Sequence, residues 1–180
     1  SGKTGQNGDR KVKAETGIFR RKRFILITGK MIKGGERNMD QNAELLNFVY
    51  QNAQMGVETI HQILKVTEHE GLKKQLESQL KEYESFQTEA GKLLEENGYD
   101  EKGLNSFEKI RTYLMVNLQT MADRTTSHIA QMMMIGSNMG IIQAIKNLRK
   151  YENVQKGVKS LMERLQKKEE ENLESMKAFL

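Results

Sequence analysis

Not one proline occurs in this chain of 180 residues. Proline is the strongest interior stop for a helix, because its ring removes a backbone N–H and clashes with the preceding turn. Leu, Met, Glu, Lys and Gln dominate the central and C-terminal stretches, and these are residues that lose little on entering a helix. The runs from Asp40 to Asn97 and from Asn153 to Leu180 place apolar residues at three- and four-residue steps, the period of an amphipathic helix. The expected fold class is all-α, and the length suits one domain with a core of its own.

Five helices are expected. The first opens on Asp40 as N-cap, carries Leu45, Val49, Asn52, Gly56, Ile60 and Ile63 on one side, and ends near Val66-Thr67. The second runs from about Glu70 to Glu96 with Leu72, Leu76, Gln79, Tyr83, Ala90 and Leu94 on its inner face. Gly98 follows as a left-handed C-cap. A shorter third helix spans roughly Leu104 to Ala122 through Phe107, Ile110, Leu114, Leu118 and Met121. Thr125-Thr126-Ser127 caps a fourth from His128 to about Lys150, and the fifth runs from Asn153 to the C-terminus. Short connections make neighbouring helices antiparallel, which gives an up-down bundle with one inserted shorter helix.

Charge divides the chain unevenly. Residues 1–38 carry 11 Lys/Arg against 3 Asp/Glu, and the remainder 18 against 21. The basic balance therefore belongs to a leader without helical or strand period, expected to lie outside a domain spanning 39–180. Lys33-Gly34-Gly35-Glu36-Arg37 back-translates with purine-rich codons into a run that resembles a bacterial ribosome-binding site just before Met39. The leader is accordingly expected to be disordered, or translated from upstream of a true start at Met39. Were it genuine, Arg20-Arg21-Lys22-Arg23 would make a phosphate-binding arm; otherwise nucleic acid is not an expected partner. With no cysteine, disulfides and thiolate chemistry are excluded, which suits a cytoplasmic protein. No segment has the length and apolarity of a membrane span.

The fourth helix has no charged residue from Ile129 to Ile145. A helix apolar all round must be covered all round. The plainer expectation is a central helix wrapped by the other four. The sharper one is a homo-oligomer interface built from Met132, Met133, Gly136, Met139 and Gly140, with the two glycines allowing close helix approach and the methionines adapting to a partner.

Candidate chemistry is sparse. Glu58-x-x-His61 has the spacing of metal ligands on one helix face, but both residues fall outside the apolar arc of the first helix. Glu169-x-x-Asn172 lies on an inward stripe with an amide where a second such motif would carry histidine, and neutral amides bind iron weakly. Glu82-x-x-Ser85 lacks the histidine as well. Asn52 and Gln79 face inward and need hydrogen-bond partners there. His128 beside Ser127 reads as capping, and the Glu169-Glu170-Glu171 run as a solvated face.

The stretches Asn42-Ala43-Glu44-Leu45-Leu46-Asn47 to Gln54-Met55-Gly56, Leu76-Glu77-Ser78-Gln79-Leu80-Lys81-Glu82-Tyr83, Ser127-His128-Ile129-Ala130 and Ile135-Gly136-Ser137-Asn138-Met139-Gly140 together resemble the uncharacterised bacterial ferritin-like, rubrerythrin/ferritin-type, four-helix-bundle domain. The resemblance covers nearly all of 39–180. It implies an antiparallel four-helix core, with 104–122 inserted between the second and third core helices. Members with metal-compatible sequences carry Glu and His on inward positions; here Ser137 and Asn172 stand at such places. The expectation is a non-enzymatic bundle acting through self-association or a protein partner, with no cofactor. The alternative is an iron-binding protein of iron or oxidative-stress handling, for which Glu58, His61, Glu82 and Glu169 are the available ligands.

Overall fold

The computed structural model describes the backbone of residues 33–102, 107–120 and 124–180, and most side chains from Gln41 onward. All regular structure among the described residues is helical: α1 Lys33–Leu64, α2 Glu70–Asn97, α3 Glu108–Thr120, α4 Thr126–Lys150, α5 Lys156–Met176, and a closing 3-10 turn at Lys177–Phe179. None of these helices is long and apolar enough to cross a membrane. Residues 1–32, including the Arg20–Arg23 cluster, lie outside the described residues, and so does Met121.

Helix α1 runs through the expected start at Met39, so Asp40 is an interior residue and not an N-cap. Propagating an existing helix adds one hydrogen bond per residue fixed, and the segment from Lys33 to Asp40 contains nothing that forbids it. Helix α2 has sharper ends. His69 caps it through Nδ1, which accepts from the Leu72 N–H at 3.1 Å. Gly98 ends it at φ 69°, and the Tyr99 N–H reaches back to the Leu94 carbonyl at 2.9 Å, a left-handed closure that glycine adopts without strain. Thr125 caps α4 by accepting from the His128 N–H. Helix α5 begins at Lys156, three residues later than the pattern suggested, and Asn42 of α1 accepts the preceding Gln155 N–H at 2.8 Å.

The helices pack mainly as two hairpins, α1 on α2 and α4 on α5, closed by the five-residue connections 65–69 and 151–155. Within α1 and α2, Tyr50 lies against Gly91 and Gly56 against Tyr83, so the two run antiparallel. Across α2 and α5, Gln75 meets Ser175, Glu82 meets Lys168 and Glu89 meets Arg164, again antiparallel. Helices α1 and α5 run in the same direction, since Asn42 is joined to Gln155 while Asn52 approaches Glu169. Leu45, Leu46, Ile60, Leu72, Leu76 and Leu165 are fully buried between them.

Helix α4 is not wrapped on every side. Ile129, Ala130, Met133, Ser137, Gly140 and Ala144 face inward, whereas Gln131, Asn138 and Ile142 are exposed and Ile135 half-buried on the opposite stripe. Ile142 keeps 43% of its surface exposed. The absence of charge therefore marks both a core face and an open face, and periodicity could not tell them apart.

Candidate functional site

The most unusual chemistry lies where α2 and α5 meet. Consecutive residues take opposite sides of that seam. On the outside, Lys168 Nζ pairs with Glu82 at 3.1 Å and with Glu171 at 2.7 Å, all three being partly in water. One residue along each helix, Tyr83 and Glu169 point inward, and the Tyr83 hydroxyl donates to Glu169 Oε2 at 2.9 Å. Asn172, one turn after Glu169, brings its Nδ2 to 3.5 Å from the same phenol oxygen. Ser137 of α4 lies within hydrogen-bond reach of both Tyr83 and Glu169. Glu169 is 2% exposed, and no lysine, arginine or histidine is among the groups that act on it.

Two helix-interior glycines make room for this layer. A Cβ on Gly56 would stand 2.8 Å from the Tyr83 ring, closer than carbon atoms approach without displacement. A Cβ on Gly140 would meet Asn52 Nδ2 at 3.2 Å and the Glu169 carboxyl at 3.3 Å. Glycine inside a helix is less stable than alanine by about 0.5–1 kcal/mol. The chain thus carries that penalty on two helices, α1 and α4, at the points nearest the buried phenol and carboxyl.

Burial without a cationic neighbour raises the Glu169 pKa to about 7, with Ser137, Tyr83 and Asn52 partly opposing the shift. Burial, and secondly the nearby carboxyl charge, holds the Tyr83 phenol well above its ordinary value. Tyr83 therefore stays a neutral donor, and Glu169 is the group that can change charge near neutrality.

The sequence candidates are distributed as follows. Glu58 reaches Arg111 of α3 at 2.8 Å and accepts from Gln54, while His61 stands in solvent. The inward residue of the Glu58-Thr59-Ile60-His61 motif is Thr59, with Ile60. Glu82 belongs to the outer ion pair, so of the four candidates only Glu169 enters the core. That also corrects the reading of Glu169-Glu170-Glu171 as one solvated face. Met132, Met133 and Gly140, expected at an oligomer interface, are buried within the chain, and Met139 is half-buried. Gly136 faces Leu114 of α3, whose methyl carbons would be 3.9 Å from an added Cβ.

These residues do not fit a dinuclear iron centre. Such a centre takes a carboxylate from each of two helices and a Glu-x-x-His pair from each of the others. Among the described residues no three His, Asp or Glu side chains converge, and the groups around Glu169 are phenol, hydroxyl and amide. Tyr83 was legible in the sequence only as an apolar-face residue. Its hydroxyl partner lies 86 positions away, and no local pattern signals that pairing.

Comparison with family models, with curated proteins and with solved structures gives no match for this chain.

Proposed function

We propose that this protein is a ferritin-like four-helix bundle in which a neutral polar layer stands where a dinuclear centre would be, and that it acts non-enzymatically by self-association. The helix directions support the first half. Simple up-down alternation would make the first and last long helices antiparallel, but α1 and α5 run the same way. With α2 antiparallel to α5, one crossover through 98–125 satisfies all the pairings, and a single crossover distinguishes ferritin-like bundles from plain up-down ones.

The observation that carries the second half is the open face of α4. Gln131, Ile135, Asn138 and Ile142 follow one another along it without a charge, and α3 extends it with Tyr113, 44% exposed. Tyr113, Gln131, Met132 and Ile135 border a groove of about 150 Å³. Ile142 and Tyr113 are large apolar side chains left exposed on this face among uncharged amides, a surface that a partner can cover without burying a charge. An uncharged stripe along one helix can meet its own copy across a two-fold axis without placing like charges together.

Size-exclusion chromatography with light scattering on the full chain tests this reading. The wild type is expected to show a concentration-dependent multiple of the chain mass, and Ile142→Lys to shift it to monomer while retaining helicity. A wild type that stays monomeric at every concentration would overturn self-association. Protein expressed in iron-supplemented medium is expected to hold no stoichiometric metal by elemental analysis.

A further inference from the structure

A cavity of about 20 Å³ lies between α1, α2, α4 and α5 beneath Leu114 of α3. Asn52, Thr59, Tyr83, Ser137 and Glu169 supply its polar wall. One internal water needs roughly 10–15 Å³ of such space and two to four polar partners. Both conditions are met. Asn52 and Thr59, 2% and 3% exposed, leave Nδ2 and Oγ1 without a hydrogen-bond partner. They sit two turns apart on α1, so both look across the same space.

Donor and acceptor roles narrow what can bind. Asn52 Nδ2 only donates, and the Thr59 hydroxyl both donates and accepts. Glu169 Oε2 already receives the Tyr83 proton, which leaves Oε1, on the Gly140 and Asn52 side, as the oxygen that carries the acid proton in the neutral form. A ligand here must accept from the amide, exchange a hydrogen bond with the hydroxyl, and either accept from or donate to a carboxyl according to its protonation. A bare cation fails the first requirement, and an anion would face the carboxyl. A water-sized neutral molecule with two protons and two lone pairs meets every one.

We propose that this cavity is a built site for one long-lived water molecule, held by Asn52 Nδ2, Thr59 Oγ1 and Glu169 Oε1. The water adds a link from α1 through Thr59 to the Tyr83–Glu169 layer, which Asn52 of the same helix already approaches. It also gives Glu169 Oε1 a hydrogen-bond partner within the layer.

Water-selective nuclear Overhauser spectroscopy on the full, isotope-labelled chain tests the proposal. The Asn52 side-chain amide and the Thr59 methyl are expected to show cross-peaks to water with the sign of a molecule tumbling with the protein. Thr59→Val keeps the side-chain shape and removes one partner. It is expected to weaken the Asn52 cross-peak and to lower the melting temperature by a few degrees. If the cavity is dry, the cross-peaks are missing and Thr59→Val raises the melting temperature, because it deletes a buried unpaired hydroxyl. Either of those results overturns the proposal. Should Thr59→Val fail to fold, the wild-type cross-peaks alone decide.

Discussion

Lys168 and Glu169 are neighbours in sequence, as are Glu82 and Tyr83, yet the two pairs they form obey different physics. The outer pair, Lys168 with Glu82, cancels charge with charge in partial contact with water. Such surface pairs contribute about 0–1 kcal/mol. The inner pair, Tyr83 with Glu169, has no cation, so the carboxyl avoids the cost of buried charge by holding its proton to about pH 7. A rotation of one residue on each helix separates them. Exposure to water, and not residue type, therefore decides whether a carboxyl on this seam is a solvated anion or a neutral acid.

The largest expected effect comes from taking the charge option away from the inner pair. The Glu169 pKa in the folded protein is raised above its ordinary value of 4.5 to about 7. Its contribution is therefore fully present below pH 4.5 and is lost as pH rises through 7, since the unfolded chain releases the proton first. A shift of this size corresponds to about 3 kcal/mol. Glu169→Gln should remove that loss: urea denaturation is expected to show the stability difference from wild type moving in the variant's favour between pH 4.5 and 7 and levelling above it. A difference that stays flat with pH would place Glu169 with the outer carboxylates.

The next effect concerns the space the inner pair occupies. Gly56→Ala gains helix propensity but drives a methyl group into the Tyr83 ring, and overpacking of this kind costs about 1–3 kcal/mol. Thermal unfolding is expected to show net destabilisation, where an open helix glycine would show stabilisation. Removing the phenol hydroxyl comes third. Tyr83→Phe removes the hydroxyl from which Glu169 Oε2 accepts while Ser137 and Asn52 remain beside the carboxyl, and is expected to cost about 1 kcal/mol in chemical denaturation. The smallest change belongs to the outer pair, with Glu82→Gln expected to alter chemical-denaturation stability by no more than about 0.5 kcal/mol. If Glu82→Gln equals Tyr83→Phe in effect, the contrast between the two sides of the seam fails.

Much of this layout was legible in the residues. The absence of proline, the three- and four-residue apolar steps, Gly98 and Thr125 place α2 and α4 to within a few residues, because caps and periodicity are local properties. The start of α1 was not legible, since Asp40 makes a plausible cap and only its neighbours' tolerance of a helix carries α1 back to Lys33. Asn52, Gln79, Glu169 and Asn172 could be assigned to the inner face by helical bearing, and all four are buried. Their partners could not be assigned, because the Tyr83–Glu169 bond depends on the register between two helices 86 residues apart. For the same reason Gly56 could be seen to face inward but not to lie under an aromatic ring. In α4 the sequence concealed which uncharged face was covered, and Met132, Met133 and Gly140 lie on the covered side.

The central claim is that Glu169 is a neutral acid inside the bundle. A carbon-13 NMR titration of the full chain, following the Glu169 side-chain carboxyl carbon and assigned by comparison with Glu169→Gln, measures this directly. The predicted result is a midpoint near 7, well separated from the other glutamates. A midpoint in the ordinary range near 4.5 would contradict it.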